Sequence, residues 1–132
     1  MRVLVIDDDL DMTDLLTILL TPASSEVWTV NSPAQGLNLL KKKQPDVIIL
    51  DLMMPEIDGW QVCKSIREFS DTPILILSAI DSPGMVAQAL DNGADDYLTK
   101  PISSGTLIAH LQKLVRRPTL ARKSAPAPGR IL

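Results

Sequence analysis

The segment that decides the fold of this chain reads Val47-Ile48-Ile49-Leu50-Asp51-Leu52-Met53-Met54-Pro55-Glu56-Ile57-Asp58-Gly59. Its first four residues are apolar and three of them are β-branched, which predicts a strand buried on both faces of a parallel sheet. Asp51 follows where the apolar run stops, and a turn containing Pro, Asp and Gly comes next. An Asp at this point lies at the carboxyl edge of the sheet, where open α/β folds place their chemistry. By itself, Asp51 could equally be a residue that caps a turn.

The same alternation of apolar runs and helical patterns repeats along the chain. Strand-like runs end in turn or cap residues, and Pro22 and Pro45 stop the helices that precede them. This pattern predicts an α/β fold of five βα units, a flavodoxin-like, doubly wound five-stranded parallel sheet in the order 2-1-3-4-5. The predicted strands are 2–6, 26–30, 47–50, 74–77 and 95–98, and the predicted helices are 10–20, 33–43, 59–69, 83–91 and 103–117.

Composition narrows the class of protein. With 45% hydrophobic and 22% charged residues, the 132-residue chain is typical of a soluble protein with one core. A single cysteine, Cys63, excludes an internal disulfide and a cysteine-based metal cluster. No apolar run approaches the roughly 20 residues of a membrane helix, and the N-terminus does not read as a signal peptide. We therefore expect a cytoplasmic protein without a membrane partner.

The charge distribution marks a boundary near Arg117. All 16 acidic residues lie in residues 1–96, whereas residues 97–132 hold seven basic residues and no acidic one. We expect a folded domain over 1–117 and a linker or disordered tail over 118–132, because the tail is rich in Pro and Ala and lacks apolar periodicity. A basic tail can indicate contact with nucleic acid. The solvated end of a helix followed by a linker is the simpler interpretation.

Polar side chains follow four of the predicted strands. Asp7 and Asp8 follow the first, Asp51 the third, Ser78 the fourth and Lys100 the fifth. Parallel strands end at one edge, and the first and third are neighbours in the predicted order, so the three carboxylates should converge. They would repel one another unless a cation joined them, and oxygen ligands with room for water suit Mg²⁺. The lysine and the hydroxyl would suit a phosphoryl group. Each residue alone has a purely structural explanation, so the specific signal is their joint occurrence.

These residues carry a resemblance to a known family. Residues 1–117 resemble the CheY-like receiver domains of bacterial two-component response regulators. The resemblance rests on four segments of the chain: Val3–Asp8, Asp46–Gly59, Ile76–Ala79 and Gly93–Pro101.

The resemblance implies a role for each acidic residue. Asp51 would be the phosphoacceptor, taking a phosphoryl group from the histidine of a sensor histidine kinase. Asp8 and Asp51 would bind Mg²⁺ directly, together with the backbone carbonyl of Met53, and Asp7 would act through water. The protein would then be no enzyme beyond Mg²⁺-dependent self-phosphorylation and autodephosphorylation.

A second set of residues would bind the phosphoryl group and transmit its presence. Lys100 would pair with the phosphoryl group, Ser78 would bond one of its oxygens, and Tyr97 would be the rotating switch aromatic. The Lys100-Pro101 peptide bond would be cis. The full phosphate-binding and switch set comprises Ser78, Ala79, Tyr97, Lys100 and Pro101.

The segment Gly93–Pro101 is similar to that of OmpR/PhoB-type regulators, which carry a winged-helix DNA-binding domain. DNA would then be reached only through a covalently linked output domain, with residues 129–132 as the possible start of its first strand. Ile102 stands where this subfamily usually has Phe, and His110 and Gln112 stand where it usually has Arg. These differences leave homodimer formation on phosphorylation open. On its helix, His110 is expected to be a surface or packing residue.

Two other interpretations of the chain are kept as alternatives. The Asp7-Asp8-Asp9 run contains the Asp-x-Asp of haloacid-dehalogenase-type phosphatases, in which the first Asp is the nucleophile. Such an enzyme would also need a substrate cap or a longer chain. The third possibility is an interaction module that kept the fold but works without phosphorylation.

Overall fold

The predicted strands form one parallel sheet in the order β2-β1-β3-β4-β5. The computed structural model describes residues 1–117. The fold class and the strand order that the sequence predicts are therefore confirmed. The strands are β1 (Arg2–Ile6), β2 (Glu26–Val30), β3 (Val47–Leu50), β4 (Ile74–Ser78) and β5 (Asp96–Thr99).

Each helix begins at a side chain that accepts hydrogen bonds from the backbone N–H groups of its first turn, which otherwise lack partners. Pro occupies the first turn of two helices, where its missing N–H costs nothing. The helices are α1 (Leu10–Leu20), α2 (Pro33–Lys43), α3 (Gly59–Arg67), α4 (Pro83–Asp91) and α5 (Ser104–Arg116). Their caps are Asp9, Ser32, Asp58, Ser82 and Ser103.

The helices cover both faces of the sheet. Alternate side chains of the central strands point to opposite sides, and each side builds its own apolar cluster. Helices α2, α3 and α4 close one cluster, around Leu4, Ile48 and Ile76. Helices α1 and α5 close the other, around Val5 and Ile49. Each fully buried Leu or Ile contributes about 1.5–3 kcal/mol relative to an exposed one, so these clusters fix the register that positions the strand ends.

Two helices differ from their predicted form. Helix α3 ends at Arg67 rather than near residue 69, and Phe69 is 45% exposed instead of packed in the core. The ammonium of Lys41 lies 4.9 Å from the centroid of the Phe69 ring. In α1, the predicted apolar stripe divides, because only one side of the helix faces the sheet. Leu16 and Leu20 are buried, whereas Leu10, Leu15 and Ile18 are exposed.

Two further stretches of the chain differ slightly from the predicted secondary structure. Residues Thr21–Ala23 form a 3-10 turn, and β5 runs one residue later than predicted at each end. Among residues 1–117 no helix combines the length and apolar character that crossing a membrane would require. The expected linker or disordered tail, with its possible start of an output domain, lies outside the described residues.

Candidate functional site

Three carboxylates meet at the carboxyl edge of the sheet. Ile6 and Leu50 are paired across β1 and β3, so the residues that follow them, Asp7 and Asp51, leave the sheet side by side. Carboxylate oxygens of Asp7, Asp8 and Asp51 all lie within 4.8 Å of one another. Asp7 is only 2% exposed and Asp51 only 6%, whereas Asp8 is exposed. The convergence that the sequence predicts is present, with two of the three acids buried.

Backbone N–H groups orient the two buried carboxylates. The N–H of Asp9 donates to Asp7 Oδ1 at 3.0 Å, and the N–H of Met53 donates to Asp51 Oδ1 at 3.1 Å. Both bonds run from a backbone amide to the side chain two residues earlier, as in an Asx turn. The side chain of Asn31 donates to the backbone carbonyl of Asp7 at 3.0 Å. The sequence alone does not predict these hydrogen bonds. The position of each Asp two residues before a turn amide could indicate the first two, whereas the Asn31 bond depends on tertiary contact.

Lys100 brings a positive charge to the two buried acids. Its Nζ lies 3.0 Å from Asp7 Oδ2 and 3.4 Å from Asp51 Oδ2, which are the oxygens that the backbone bonds leave open. Its own N–H donates to the carbonyl of Ser78 at 2.8 Å, which fixes the end of β5 against β4. The Lys100-Pro101 peptide bond is cis, as the resemblance implies, and Pro101 is exposed.

Burial and charge shift the pKa values of this cluster. Burial raises the pKa of Asp7, and the charge of Asp51 adds to the rise, while the Asp9 amide and Lys100 act in the opposite direction. Burial alone would lower the pKa of Lys100, but its hydrogen bond to Asp7 and the charges of Asp51 and Asp7 outweigh burial and raise it. The ammonium is therefore held in its charged form, and the raised pKa of Asp7 means that its negative charge is only partly balanced.

The loop after β4 is tied to β5 by a tyrosine. The Ser78 side chain is fully buried, and its Oγ accepts the Ile80 N–H at 3.3 Å. The Tyr97 hydroxyl donates to the Ile80 carbonyl at 2.6 Å. Burial raises the pKa of the Tyr97 phenol, and the charge of Asp51 acts in the same direction. Ala79, between Ser78 and Ile80, is exposed.

The loop after β3 lies against the start of α3. A Cβ added at Gly59 would lie 2.7 Å from the Cα of Leu52, so only glycine lets these backbones come this close. Met53 presents its side chain to solvent, 55% exposed, while its N–H holds Asp51. Glu56 adopts a left-handed conformation with φ of 60°.

The acidic cluster fits a hard divalent cation. It offers only oxygen donors, from three carboxylates close enough to share one ion, and one of them is open to solvent. Mg²⁺ prefers such a site, where it keeps several waters in an octahedral shell. Within residues 1–117, Lys100 is the lysine that pairs with the two buried acids, so a divalent cation would balance the remaining negative charge.

One residue outside the site has a partner that the sequence did not predict. His110 Nδ1 lies 2.6 Å from Asp96 Oδ2, which joins α5 to β5. His110 is thus a packing residue with a specific partner on β5. The histidine does not belong to the acidic cluster.

Comparisons with known proteins agree with this geometry. The family model described as the response regulator receiver domain matches residues 3–112. Over 119 residues, the chain is 40% identical to the DNA-binding dual master transcriptional regulator RpaA of Synechocystis, covering 88% of this chain and 49% of RpaA. It is 39% identical over 118 residues to the response regulator MprA of Mycobacterium leprae, covering 89% of this chain and 52% of MprA. The chain thus spans about half the length of these curated relatives.

Solved structures share the fold. The receiver domain of the Francisella response regulator 1452 superposes with a TM-score of 0.80 at 35% identity, covering 87% of this chain and 96% of that one. The BeF3-activated N-terminal receiver domain of Klebsiella pneumoniae RstA gives a TM-score of 0.83 at 26% identity, covering 89% and 100%. With this sheet order, this cluster of acids and a family model matching most of its length, the chain belongs to the response regulator receiver domain family.

Proposed function

We propose that this domain is a phosphorylation-dependent switch in which Asp51 accepts a phosphoryl group from the phosphohistidine of a sensor histidine kinase. The observation that carries the proposal is the environment of Asp51. Its side chain is 8% exposed at the edge of the sheet, with two further carboxylates within 4.8 Å and the Lys100 ammonium at 3.4 Å. An acceptor carboxylate needs this combination of acids for a cation and a positive side chain for phosphoryl oxygens.

The proposed transfer balances in atoms and charge. An oxygen of the Asp51 carboxylate attacks phosphorus, the P–N bond of the phosphohistidine breaks, and the imidazole keeps the electron pair and takes up a proton. The product is an acyl phosphate. In the return step, water attacks phosphorus, the P–O bond to Asp51 breaks, and inorganic phosphate leaves. We propose no enzymatic activity beyond these two steps.

Mg²⁺ is the proposed cofactor. Asp8, Asp51 and the Met53 carbonyl would hold the ion directly, and Asp7 would hold it through water. When bound, Mg²⁺ neutralises charge that builds up on the transferring phosphoryl oxygens. The hydrogen bonds that backbone N–H groups donate to Asp7 Oδ1 and Asp51 Oδ1 support this role, because they keep both carboxylates oriented before the cation binds.

The proposed switch begins at Lys100, which is now shared between Asp7 and Asp51. A phosphoryl group on Asp51 would add charge and oxygen acceptors, and would draw Lys100 and the Ser78 hydroxyl towards it. Tyr97 ties the loop after β4 to β5 through the Ile80 carbonyl, so a moving loop would release or re-form that bond. Phosphorylation would then shift the population towards the arrangement that binds the phosphoryl group better.

The output is proposed from the relatives, whose names describe transcriptional regulators about twice as long as this chain. We propose that a covalently linked domain contacts DNA and that the receiver itself does not, with the cytoplasm as the place of action. Homodimer formation on phosphorylation is part of the proposal. Asp96 already bonds His110 of its own chain, so a dimer through α5 and β5 would have to accommodate that pair.

The test is uptake of one phosphoryl group from acetyl phosphate with Mg²⁺, measured by intact mass. The wild-type chain should gain one base-labile group, and Asp51→Ala should gain none. Asp14→Ala is the matched control, because Asp14 is an exposed acid on α1 away from the cluster. Uptake by Asp51→Ala would refute the assignment of the acceptor.

The same variants separate the alternatives. A folded wild-type chain that takes up no phosphoryl group from either acetyl phosphate or a phosphorylated kinase would favour the phosphorylation-independent module. Turnover of a phosphate monoester that survives Asp51→Ala but not Asp7→Ala would favour the phosphatase. The proposed function predicts neither result.

A further inference from the structure

Asp8 is the least supported carboxylate of the acidic cluster. Within residues 1–117 no group donates a hydrogen bond to it, and it is exposed. Asp7 and Asp51 each accept a backbone N–H and contact Lys100. The Asp8 carboxylate nevertheless lies within 4.8 Å of the other two. Without such partners, its position depends on the direction in which its Cα–Cβ bond leaves the backbone, so the peptide group that joins Asp7 to Asp8 controls the geometry of the cluster.

The end of β2 holds that peptide group. The Asp7 N–H donates to the Val30 carbonyl at 3.2 Å, just beyond the paired residues of β1 and β2. The Asp7 carbonyl in turn accepts from the side-chain amide of Asn31 at 3.0 Å. A carbonyl can accept only from the NH₂ group of that amide, so the partner fixes which way the Asn31 side chain is turned. Because the Asp7 carbonyl lies in the same planar peptide group as the Asp8 N–H, the Asn31 bond fixes the plane from which Asp8 departs.

Asn31 is itself held by the first turn of α2. Its N–H donates to Gln35 Oε1 at 3.2 Å, while the Gln35 N–H donates to Ser32 Oγ at 3.3 Å. The pair is similar to a capping box, in which the third helical residue reaches back to the N-terminal end of the helix. Here the Gln35 side chain reaches Asn31, one residue before the cap. The contacts therefore run without a break from α2 through Asn31 to the peptide group between Asp7 and Asp8.

We propose that Asn31 is a positioning residue for the cation site, which keeps the Asp8 carboxylate where it can share one ion with Asp7 and Asp51. This role rests on the proposed function, in which Asp8 binds Mg²⁺ directly. Asn31 would not touch the ion. Its amide would hold the backbone of the one acid that has no orienting partner of its own among the described residues.

A positioning role predicts a difference between two cations. Mg²⁺ is small and demands near-octahedral geometry, whereas Ca²⁺ accepts irregular arrangements of oxygen ligands at longer distances. Loss of the Asn31 amide leaves the charge of the three acids unchanged and loosens only their arrangement. Binding of Mg²⁺ should therefore weaken more than binding of Ca²⁺. A loss of folded protein or of negative charge would weaken both alike.

The test replaces Asn31 by Leu in the full 132-residue chain, because leucine has nearly the same shape and no donor. Titrations with MgCl₂ and CaCl₂ at constant ionic strength are followed by NMR through the backbone amide signals, which also show that the variant is folded. Asn31→Leu should raise the Kd for Mg²⁺ about tenfold, at the lower end of what partners that orient metal ligands contribute. The Kd for Ca²⁺ should rise by less than about threefold. In EDTA, the Asp8 N–H signal should shift, since its peptide group has lost a partner.

Asn38→Leu is the matched control, because Asn38 is an exposed asparagine further along α2, and both Kd values should stay at their wild-type level. A Mg²⁺ Kd of Asn31→Leu within about twofold of the wild type would overturn the positioning role and leave the proposed function intact. Equal weakening of Mg²⁺ and Ca²⁺ would also overturn it, because Asn31 would then support the fold as a whole. A wild-type chain that binds no Mg²⁺ would refute the proposed cofactor and the role of Asn31 together.

Discussion

Replacing Lys100 by Gln should destabilise the Mg²⁺-free domain strongly at neutral pH. The ammonium is the positive group that contacts both buried acids, with Nζ 3.0 Å from Asp7 and 3.4 Å from Asp51. Its side chain is 17% exposed, and those of the acids are 3% and 8% exposed. Water therefore screens these interactions poorly, and the glutamine amide would leave two buried carboxylates without a balancing charge.

The size of the effect follows from the distances. At an effective dielectric constant of 20, the attraction is about 5.5 kcal/mol at 3.0 Å and about 5 kcal/mol at 3.4 Å. Against this gross gain of about 10 kcal/mol stands the desolvation of the ammonium, which costs several kcal/mol. The remainder agrees with the 3–5 kcal/mol that removing one partner of a buried pair typically costs. We expect the free energy of unfolding to fall by about 3–5 kcal/mol.

The loss should depend on pH in a definite direction. Burial already raises the pKa of Asp7, and removing Lys100 should raise it further. A carboxyl whose folded-state pKa exceeds its unfolded value contributes stability below the unfolded value and loses it as pH rises through the folded value. In the wild type, the hydrogen bond to Asp7 and the charges of Asp51 and Asp7 raise the pKa of Lys100, so the ammonium stays charged at both pH values compared here. The difference between variant and wild type should therefore be larger at about pH 8 than at about pH 5.

Urea unfolding of both proteins, in EDTA and at both pH values, measures these differences. Lys42→Gln is the matched control, because Lys42 is an exposed lysine in the last turn of α2 and should change stability by less than about 0.5 kcal/mol. A Lys100→Gln loss below about 1 kcal/mol at the higher pH would refute the reasoning, because it would equal that of an ordinary surface substitution. A loss of equal size at both pH values would refute the assigned role of Asp7 protonation.

Two further predictions concern the loops around the site. Gly59→Ala should destabilise the domain by about 1–3 kcal/mol, because the new Cβ would meet the Leu52 backbone. Gly84→Ala is the control, because a Cβ added there has no atom within 4 Å, and it should be neutral or stabilising by up to about 1 kcal/mol. Thermal unfolding measures both changes in stability. Equal effects of the two substitutions would contradict the argument from the close approach of Gly59 to Leu52. Met53 and Ile80 lie two residues beyond Asp51 and Ser78, and their apolar side chains should hinder an attacking water. Met53→Asn and Ile80→Glu should each speed loss of the acyl phosphate several-fold in a mass-spectrometric time course. Unchanged decay rates in both variants would contradict the proposed hindrance of water.

Local sequence predicted the elements and the convergence of the acids at one edge of the sheet, because the determinants of strands, helices and strand ends are close in the chain. The apolar runs of β1, β3 and β4 indicate buried strands without knowledge of their neighbours. Ser32-Pro33 and Asp58-Gly59 begin their helices where capping preferences place them. Strand order follows from general rules for βα units, and the acids and the lysine follow from their positions at strand ends.

The side of a helix that is buried could not be predicted from the spacing of apolar residues alone. In α1 the apolar residues extend around more than one side, so the sequence did not separate the buried Leu16 from the exposed Ile18. Phe69 lies just beyond α3, where the helical pattern no longer says which way a side chain points. Both outcomes depend on how the helix is rotated against the sheet, which the packing of the whole core decides.

The amino-acid sequence by itself determined where strands and helices begin, the order of the strands within the sheet, and which charged residues lie at the same edge of that sheet. Only the tertiary structure decided the pairings between distant residues. Lys100 and Asp7 are 93 positions apart, and Arg117 and Asp95 are 22 apart. Such contacts require the register of several strands and the packing of α5 to be fixed at once, since a hydrogen bond tolerates only a few tenths of an ångström. Local preferences act over a few residues and carry no information at that distance and precision.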